Sequence, residues 1–587
     1  MNLINQIKEK VASAFTACGF DATNTLVRLS DRPDIGDYQA NGALPLAKTL
    51  KQNPRAIAEQ IAEKLRTDTF FEKISVDGPG FINMRISNTI LEQQAFNILA
   101  GPQCGYERTD DVKTIVLDYG GPNVAKALHV GHLRPAVIGE SIKRICQFVG
   151  DKTIADVHLG DWGKPMGLLI TELQDRQPNL PYFDNNFIGD YPTDAPFTAK
   201  DLETMYPLAS ARSKEDEAYA TRAQENTKLL QDGHRGYRAL WQHFINLSVA
   251  DIQKLYNELD ISFDLWRGES HVHDRLQNMI ARLKNQGTII PDQGAEIIPL
   301  GKSKGGNDLP PLIMVKSDGA VMYGATDLAT IEERVDEFNP DAILYVVDAR
   351  QGLHFEQVFA GADKINLAQN VSLEHLGFGT INGTDNKPYK TRSGGIPTLR
   401  YLIDTAVASA RKKMESGEMG RDLTESEKEQ ISQIVGVSAL KFADLMNERM
   451  KNYVFDEDKL TSTEGKTGPY ILYAIVRMKS VLEKMGTNPE LDQNDIITIT
   501  VPAERNLLLR LYALPDAVQT AYDNRAPHVI ADYLFKLAQD FNLFYHDCPI
   551  KGADTETQKS RLALTKYALH TATACADMLG LRVPDKM

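Results

Sequence analysis

The stretch GGPNVAKALHVGHLR, from Gly120 to Arg134, holds two histidines, a lysine, an asparagine and three glycines in fifteen residues. It follows the apolar run Thr114-Ile-Val-Leu, with Asp118 and Tyr119 between. His129 and His132 are three apart, with Gly131 before the second. Such a pair could be a metal site, two packed core histidines, or the floor of a nucleotide pocket. Zn2+ would need a third protein ligand, and neither HExxH nor a nearby cysteine supplies one. A glycine-rich turn between strand and helix favours the nucleotide pocket. Gly131 lets a ligand approach the backbone, and a helix starting near His132 offers free N–H groups and a positive dipole end to phosphate. Histidines placed there can hydrogen-bond phosphate oxygens, most strongly as charge builds in a transition state. The pattern is neither GxGxxG nor GxxxxGK[ST], so dinucleotide enzymes and P-loop NTPases fit poorly.

The elements that must position this stretch follow from the rest of the 587 residues, a length that implies three or four domains. A hydrophobic content of 42% with 25% charged residues is ordinary globular composition. No apolar run reaches the roughly 20 residues of a membrane span, and the MNLINQIKEK start lacks a secretory apolar region. Five scattered cysteines without a CxxC pair indicate neither a zinc ribbon nor a disulfide framework, so a reduced, cytoplasmic chain is expected. The net charge of −14 argues against a nonspecific nucleic-acid binder but leaves room for local basic patches.

Residues 1–105 read as an α+β unit, with helical spacing over Met1–Ala17 and Arg55–Leu65 and a strand–turn–strand in KISVDGPGFINMRI. From Val112 a strand, the glycine-rich loop and a helical segment follow; AILYVVDA, Ala342 to Ala349, reads as a second buried strand. Alternating strands and helices with polar residues at strand ends predict a doubly wound, Rossmann-type parallel sheet over 112–395. A polar, helix-rich insertion is expected near 173–231. Residues 396–587 are nearly all helical in period, with breaks at Gly417, Gly420, Gly486 and Pro515, so a C-terminal all-α bundle is expected.

The His-x-Gly-His form after a strand, with Pro122-Asn123 upstream, resembles the first signature of class I aminoacyl-tRNA synthetases. The longer PNxxKxxHxGHxR is similar to the arginyl-tRNA synthetase version. Further segments resemble that family in order along the chain: GDYQANGALPLAK, HLGDWGKPMG, NELDISFDLWRGES, KSDGAVMYGATDLA, VVDARQGLHFEQVF, GKTGPYILYA and LGLRVPDKM. The chain is identified on these residues as a member of the arginyl-tRNA synthetases of bacterial type. Two departures stand out. KPYKTRSGG occupies the place of the second class signature, where only Lys390, Arg392 and Ser393 remain recognisable. Gly120 and Gly121 stand where relatives often carry serine.

The resemblance implies that Lys126, His129, His132, Lys390 and Arg392 are catalytic, with Lys126 supplying charge that the second signature lacks. It implies ATP contacts from Pro122, Asn123, Lys126, His129, Gly131, His132, Lys390 and Ser393. For arginine it implies Asp118, Asn123, Lys126, His129, Tyr323, Asp327 and Gln351. The residue chemistry agrees: Tyr323 and Asp327 are four apart, so on a helix both face one side and can accept the N–H fork of a guanidinium. Read alone, they could instead be a core tyrosine and a surface aspartate, and Gln351 a solvated loop residue. Tyr470 and Tyr473, three apart on an expected helix, could stack unpaired tRNA bases or be a core stripe. Lys441, Arg449, Lys451, Arg477 and Lys479 lie in the same region and could meet phosphates. Tyr38, Gln39 and Asn41 read as turn-like, with a tRNA contact implied by the resemblance alone.

The expected reaction is a two-step ligation of L-arginine to tRNA(Arg) through arginyl-adenylate, with ATP as co-substrate. Mg2+ would accompany the ATP without a dedicated protein metal site, and a monomer is expected. Two other readings stay open. Another class I synthetase is disfavoured by the lack of zinc-ligand cysteines and by Asp327, which suits a cationic side chain. A tRNA-binding relative without catalysis is disfavoured by the intact Lys126, His129, His132 and Asp327. Charging with cysteine or glutamate would identify the first, and absence of arginine-, ATP- and tRNA-dependent turnover the second.

Overall fold

The structure, a computed structural model, describes residues 1–587 except 24, 31, 303–305, 307, 318, 384, 388, 390–396 and 417–422. The chain divides into two compact units. One comprises 111–413 with 436–461; the other comprises 1–110, 414–435 and 462–587.

The first unit is built on a parallel sheet. Its strands run in the order Ser372–His375, Ala342–Val346, Thr114–Tyr119, Lys152–Asp156. The two central strands, AILYV and TIVLDY, are apolar runs rather than alternations, as strands covered on both faces must be. Val116, Leu328, Ile343, Phe355 and Val358 form one buried cluster between the sheet and the helices Tyr323–Phe338 and Gly352–Lys364. On the other side of the signature loop, the helix Leu133–Val149 packs unusually close to its strand. A Cβ on Gly139 would stand 2.3–2.5 Å from the Tyr119 side chain, so only glycine fits. The insertion is helical: Ala199–Glu215 and Glu217–Gln231 pack on Lys164–Arg176. A small antiparallel sheet of Ile290–Asp292, Ala295–Ile298 and Leu312–Val315 precedes the Tyr323–Phe338 helix.

The second unit joins an antiparallel sheet to helices from the other end of the sequence. The sheet order is Val27–Leu29, Tyr38–Ala40, Phe81–Ile86, Phe71–Asp77, with Leu3–Ala17 and Pro54–Leu65 against it. The helices are Gly468–Lys484, Pro502–Tyr512, Leu514–Asp523, Pro527–Asp547 and Thr555–Met578. Arg505 ties the two parts together by donating to both Asp37 oxygens at 2.7 and 2.9 Å and to the Ile86 carbonyl at 2.8 Å.

The turn expected at 38–41 is in large part a strand. Tyr38–Ala40 pairs on both sides, with Leu29–Val27 and with Met84–Ile82, and is buried throughout. The turn-forming Gly36 and Gly42 flank the strand rather than forming it. Among the described residues, no helix is long and apolar enough to cross a membrane.

Candidate active site

The signature loop leaves the carboxyl end of Thr114–Tyr119, where ligands of open α/β sheets bind. Gly120 opens it at φ +77°, a conformation that favours glycine. A Cβ there would meet the Tyr256 hydroxyl at 3.0 Å, and that hydroxyl donates to the Gly120 carbonyl at 2.7 Å. At Gly121 a Cβ would lie 3.0 Å from the His158 carbonyl. The two glycines that depart from the family pattern are thus fitted to close neighbours. Pro122 is buried and its carbonyl accepts from the Gly160 N–H at 3.1 Å, while Asn123 is exposed beside Gly160. Ala125 and His158 hold φ of +62° and +42° on these two adjoining segments; non-glycine residues keep such strain where the surroundings over-determine it, often at functional sites.

His129 and His132 are placed by the backbone they cap. The Gly131 N–H donates to His129 Nδ1 and the His129 N–H donates to His132 Nδ1, each at 3.0 Å, and the rings lie 4.0 Å apart. With both Nδ1 atoms accepting, each neutral ring carries its proton on Nε2. Burial, then the mutual and Lys126 charges, lower the pKa of His132 to about 3; burial and Lys126 lower that of His129. The loop therefore presents two neutral N–H donors. Lys126 lies over the Tyr206 ring, 4.7 Å from its centroid.

Lys390, Arg392 and Ser393 lie outside the described residues. The flanks of their loop are anchored: Tyr389 donates to Glu457 at 2.6 Å, and beyond the loop the Pro397 carbonyl accepts from the Val130 N–H at 3.0 Å. The Leu399 N–H donates to the Leu128 carbonyl at 2.8 Å, so the chain from Pro397 onward runs against the first signature.

Tyr323 and Asp327 begin the helix Tyr323–Phe338, one turn apart, and Tyr323 is exposed. Asp327 is joined by two residues that sequence reasoning left aside. His354 Nε2 sits 2.6 Å from Asp327 Oδ2, and this hydrogen bond raises the imidazole pKa. Glu269, from the Gly-Glu-Ser segment, is pushed up to about 7, first by burial and then by the nearby Asp161 and Asp327 charges, against His158. Its charge is also felt at Tyr323. Glu269, Asp327 and Tyr323 thus form an acidic cluster, close enough for their charges to interact.

Asp118, also expected at the arginine, is differently employed. Arg334, 1% exposed, donates from one NH2 group to Asp118 and Asp156, both at 2.7 Å, across the ends of two strands. The helical period of EERVDEF contained the only hint of that arginine. Gln351 ends a short 3-10 turn after Ala342–Val346 and is exposed. Among the described residues, no three His, Cys, Asp or Glu side chains form a metal-holding group.

This geometry has relatives. Residues 94–457 match the model for tRNA synthetases class I (R), catalytic domain, residues 471–587 that for the DALR anticodon binding domain, and residues 1–86 that for the arginyl tRNA synthetase N terminal domain. The arginine–tRNA ligase of Alkaliphilus oremlandii is 44% identical over 587 residues, covering 100% of both chains. The chain belongs to the class I arginyl-tRNA synthetases. Among solved structures, arginyl-tRNA synthetase from Plasmodium falciparum is 27% identical with a TM-score of 0.82 over 99% of each chain. The Thermus thermophilus arginyl-tRNA synthetase shares the fold, at a TM-score of 0.78 over 99% of this chain and 100% of that one, with 23% identity.

In this synthetase the expected tRNA-contacting residues fall into two groups. Tyr470 is half-buried, its ring 5.5 Å from Phe535 and its hydroxyl accepting from Asn542 at 3.0 Å. Tyr473 is exposed, and the Arg477 guanidinium lies 4.6 Å over its ring and 5.5 Å from that of Tyr545. Tyr545, 42% exposed, completes a tyrosine–arginine–tyrosine surface that sequence reasoning missed because Tyr545 lies on a different helix. Tyr38 and Gln39 are buried, and Gln39 donates to Asn83 at 2.9 Å; Asn41 is half-buried beyond the strand. Lys441 is not a surface cation: it is 1% exposed and donates to the Leu259 carbonyl at 2.6 Å. Lys451 and Lys479 are paired, with Glu448 and Asp585.

Proposed function

We propose that this chain, an arginine–tRNA ligase that charges tRNA(Arg), binds the guanidinium of arginine between Asp327, Glu269 and Tyr323 and the ATP phosphates over His129 and His132. The observation that carries this reading is the acidic cluster. Burial resists the ionisation of Glu269, and a cation entering beside it would favour its charged form and take the place of His354 on Asp327. Asn123 and Gln351 serve the ammonium and carboxylate at the strand ends. Asp118 acts through Arg334 to hold that edge rather than by meeting substrate with a free charge.

The arginine carboxylate attacks the α-phosphorus of ATP in line. The new O–P bond forms as the bond to pyrophosphate breaks, leaving arginyl-adenylate. Nε2–H of His129 and of His132, with Lys126 and the Lys390, Arg392 and Ser393 loop, stabilise the charge that moves onto the leaving oxygens. Both imidazoles stay neutral through physiological pH, so they act as fixed dipolar donors that need no proton transfer. Mg2+ travels with ATP. Asp118 and Asp156 are committed to Arg334. The terminal 2′-hydroxyl of tRNA then attacks the acyl carbonyl and AMP leaves. The N-terminal domain, 1–105, and the helical domain, 396–587, hold the tRNA, with Tyr473 and Tyr470 stacking bases and Tyr38, Gln39 and Asn41 shaping the N-terminal contact. The enzyme works as a cytoplasmic monomer.

ATP–pyrophosphate exchange with arginine, measured with and without tRNA, tests the reading. Exchange is expected with arginine and tRNA together, and exchange supported equally by another amino acid would overturn it. His132→Ala is expected to lose adenylate formation by at least about tenfold more than tRNA binding, the effect of removing a preorganised donor. Equal loss of both would remove the phosphate role.

A further inference from the structure

The insertion contributes a residue that neither the signature nor the arginine pocket contains. Tyr206 lies on the insertion helix Ala199–Glu215 and packs against Leu168, Ala209, Tyr219 and Ala223, so its ring is fixed to the body of the catalytic unit. That ring carries the Lys126 ammonium, 4.7 Å from its centroid. Lys126 in turn is close enough to His129 and His132 for its charge to be felt at both. The Tyr206 phenol is also close enough to Tyr323 to disfavour ionisation there. One side chain thus touches a residue assigned to phosphate and lies near one assigned to arginine.

We propose that Tyr206 is a positioning residue for Lys126: its ring holds the ammonium at the phosphate cradle without neutralising it. The chemistry of the contact favours this over storage. A carboxylate partner would cancel the charge and have to be displaced when the triphosphate arrives. An aromatic face attracts the cation through its quadrupole and leaves the full charge for the phosphate oxygens. Lys126 forms no ion pair among the described residues, and its ammonium rests on the Tyr206 ring. A lysine has four rotatable side-chain bonds, and ordering it beforehand removes an entropic penalty from the step in which charge moves to pyrophosphate. The insertion thereby acts in adenylate formation, although none of its residues belongs to either signature.

The proposal rests on the phosphate role of Lys126, and the test separates the two. ATP–pyrophosphate exchange, with tRNA and arginine present, is compared for wild type, Tyr206→Phe, Tyr206→Leu, Lys126→Met and the Tyr206→Leu/Lys126→Met double variant, with thermal unfolding as a check on folding. Tyr206→Leu keeps apolar bulk and loses the π face. It is expected to lower kcat about 3- to 30-fold, the range of a partly desolvated cation–π contact, with a smaller change in KM for ATP. Tyr206→Phe is expected to restore the rate. The double variant is expected to be no slower than Lys126→Met alone. Additive losses, or a Phe variant as slow as Leu, would overturn the positioning role while leaving Lys126 in place. A Lys126→Met enzyme as fast as wild type would instead remove the phosphate role of Lys126, and the proposal with it.

Discussion

Glu269 is a carboxylate held near half-protonation at neutrality, because burial and the Asp161 and Asp327 charges outweigh the nearby His158. A guanidinium arriving at the pocket reverses that balance: it favours the charged form, the pKa falls and a proton leaves. His354 adds a second step of the same sign. Its bond to Asp327 raises its pKa, so below that value an imidazolium occupies the carboxylate that arginine needs. When arginine takes Asp327, the imidazole loses its partner and burial lowers its pKa, which releases a proton. Arginine affinity is therefore expected to rise with pH through the value near 7 at which Glu269 titrates, with a further rise as His354 loses its proton. Calorimetric titration with arginine at pH 7, in buffers of different ionisation enthalpy, is expected to show release of about half a proton or more. Glu269→Gln should abolish the carboxylate share. Arginine binding with no proton release at pH 7 would mean that the guanidinium goes elsewhere. His132 of the signature behaves differently: with its pKa down near 3, its contribution to exchange is expected to stay flat between pH 6 and 9.

At the scale of elements, the site depends on how closely helix and strand approach at the loop. Gly139→Ala would drive a methyl into Tyr119, and the helix Leu133–Val149 would have to move away from the sheet. A destabilisation of about 1–3 kcal/mol, as in overpacked cores, is expected in urea unfolding, together with slower exchange because His132 precedes that helix. Arg334→Leu is expected to be more severe, about 3–5 kcal/mol, since it leaves Asp118 and Asp156 buried without their shared cation. The strands and the signature helix were legible because continuous apolar runs and a glycine-rich turn are local signals. Tyr38–Ala40 was not: it is only three residues long, and one of its two partner strands, Phe81–Ile86, is remote in sequence. Glu269, His354, Arg334 and Tyr206 escaped for a similar reason. Each sits in a segment with an ordinary helical or loop pattern, and its chemistry comes from a neighbour brought in by the fold. Lys441 is the converse case, a cation whose type suggested solvent but whose ammonium is satisfied by a buried carbonyl.

For the whole molecule, the balance of 65 basic and 79 acidic side chains must be reconciled with a polyanionic partner. Counterion release by scattered lysines cannot supply the main attraction when many cations are already paired, as Lys451 and Lys479 are. Stacking can, because base–aromatic contact needs no net charge. The Tyr473–Arg477–Tyr545 surface suits this role: Asn542 accepts from Arg477 at 2.7 Å and donates to Tyr470 at 3.0 Å, so the guanidinium and the tyrosines are held in one arrangement. That surface lies in the same unit as the N-terminal sheet, joined through Arg505 and Asp37, which are 468 residues apart in sequence. The two sources of affinity can be told apart by salt. Tyr545→Ala is expected to weaken tRNA binding by about 1–3 kcal/mol, the value of one stacked base, with the slope of log K against log salt unchanged. A phosphate contact would behave otherwise, its loss making the slope shallower by about one counterion with a smaller change in affinity at high salt. Filter-binding titrations of wild type, Tyr545→Ala and Arg477→Leu between low and high salt would read this directly. A Tyr545→Ala enzyme with wild-type affinity at every salt concentration would remove the stacking surface from the tRNA site.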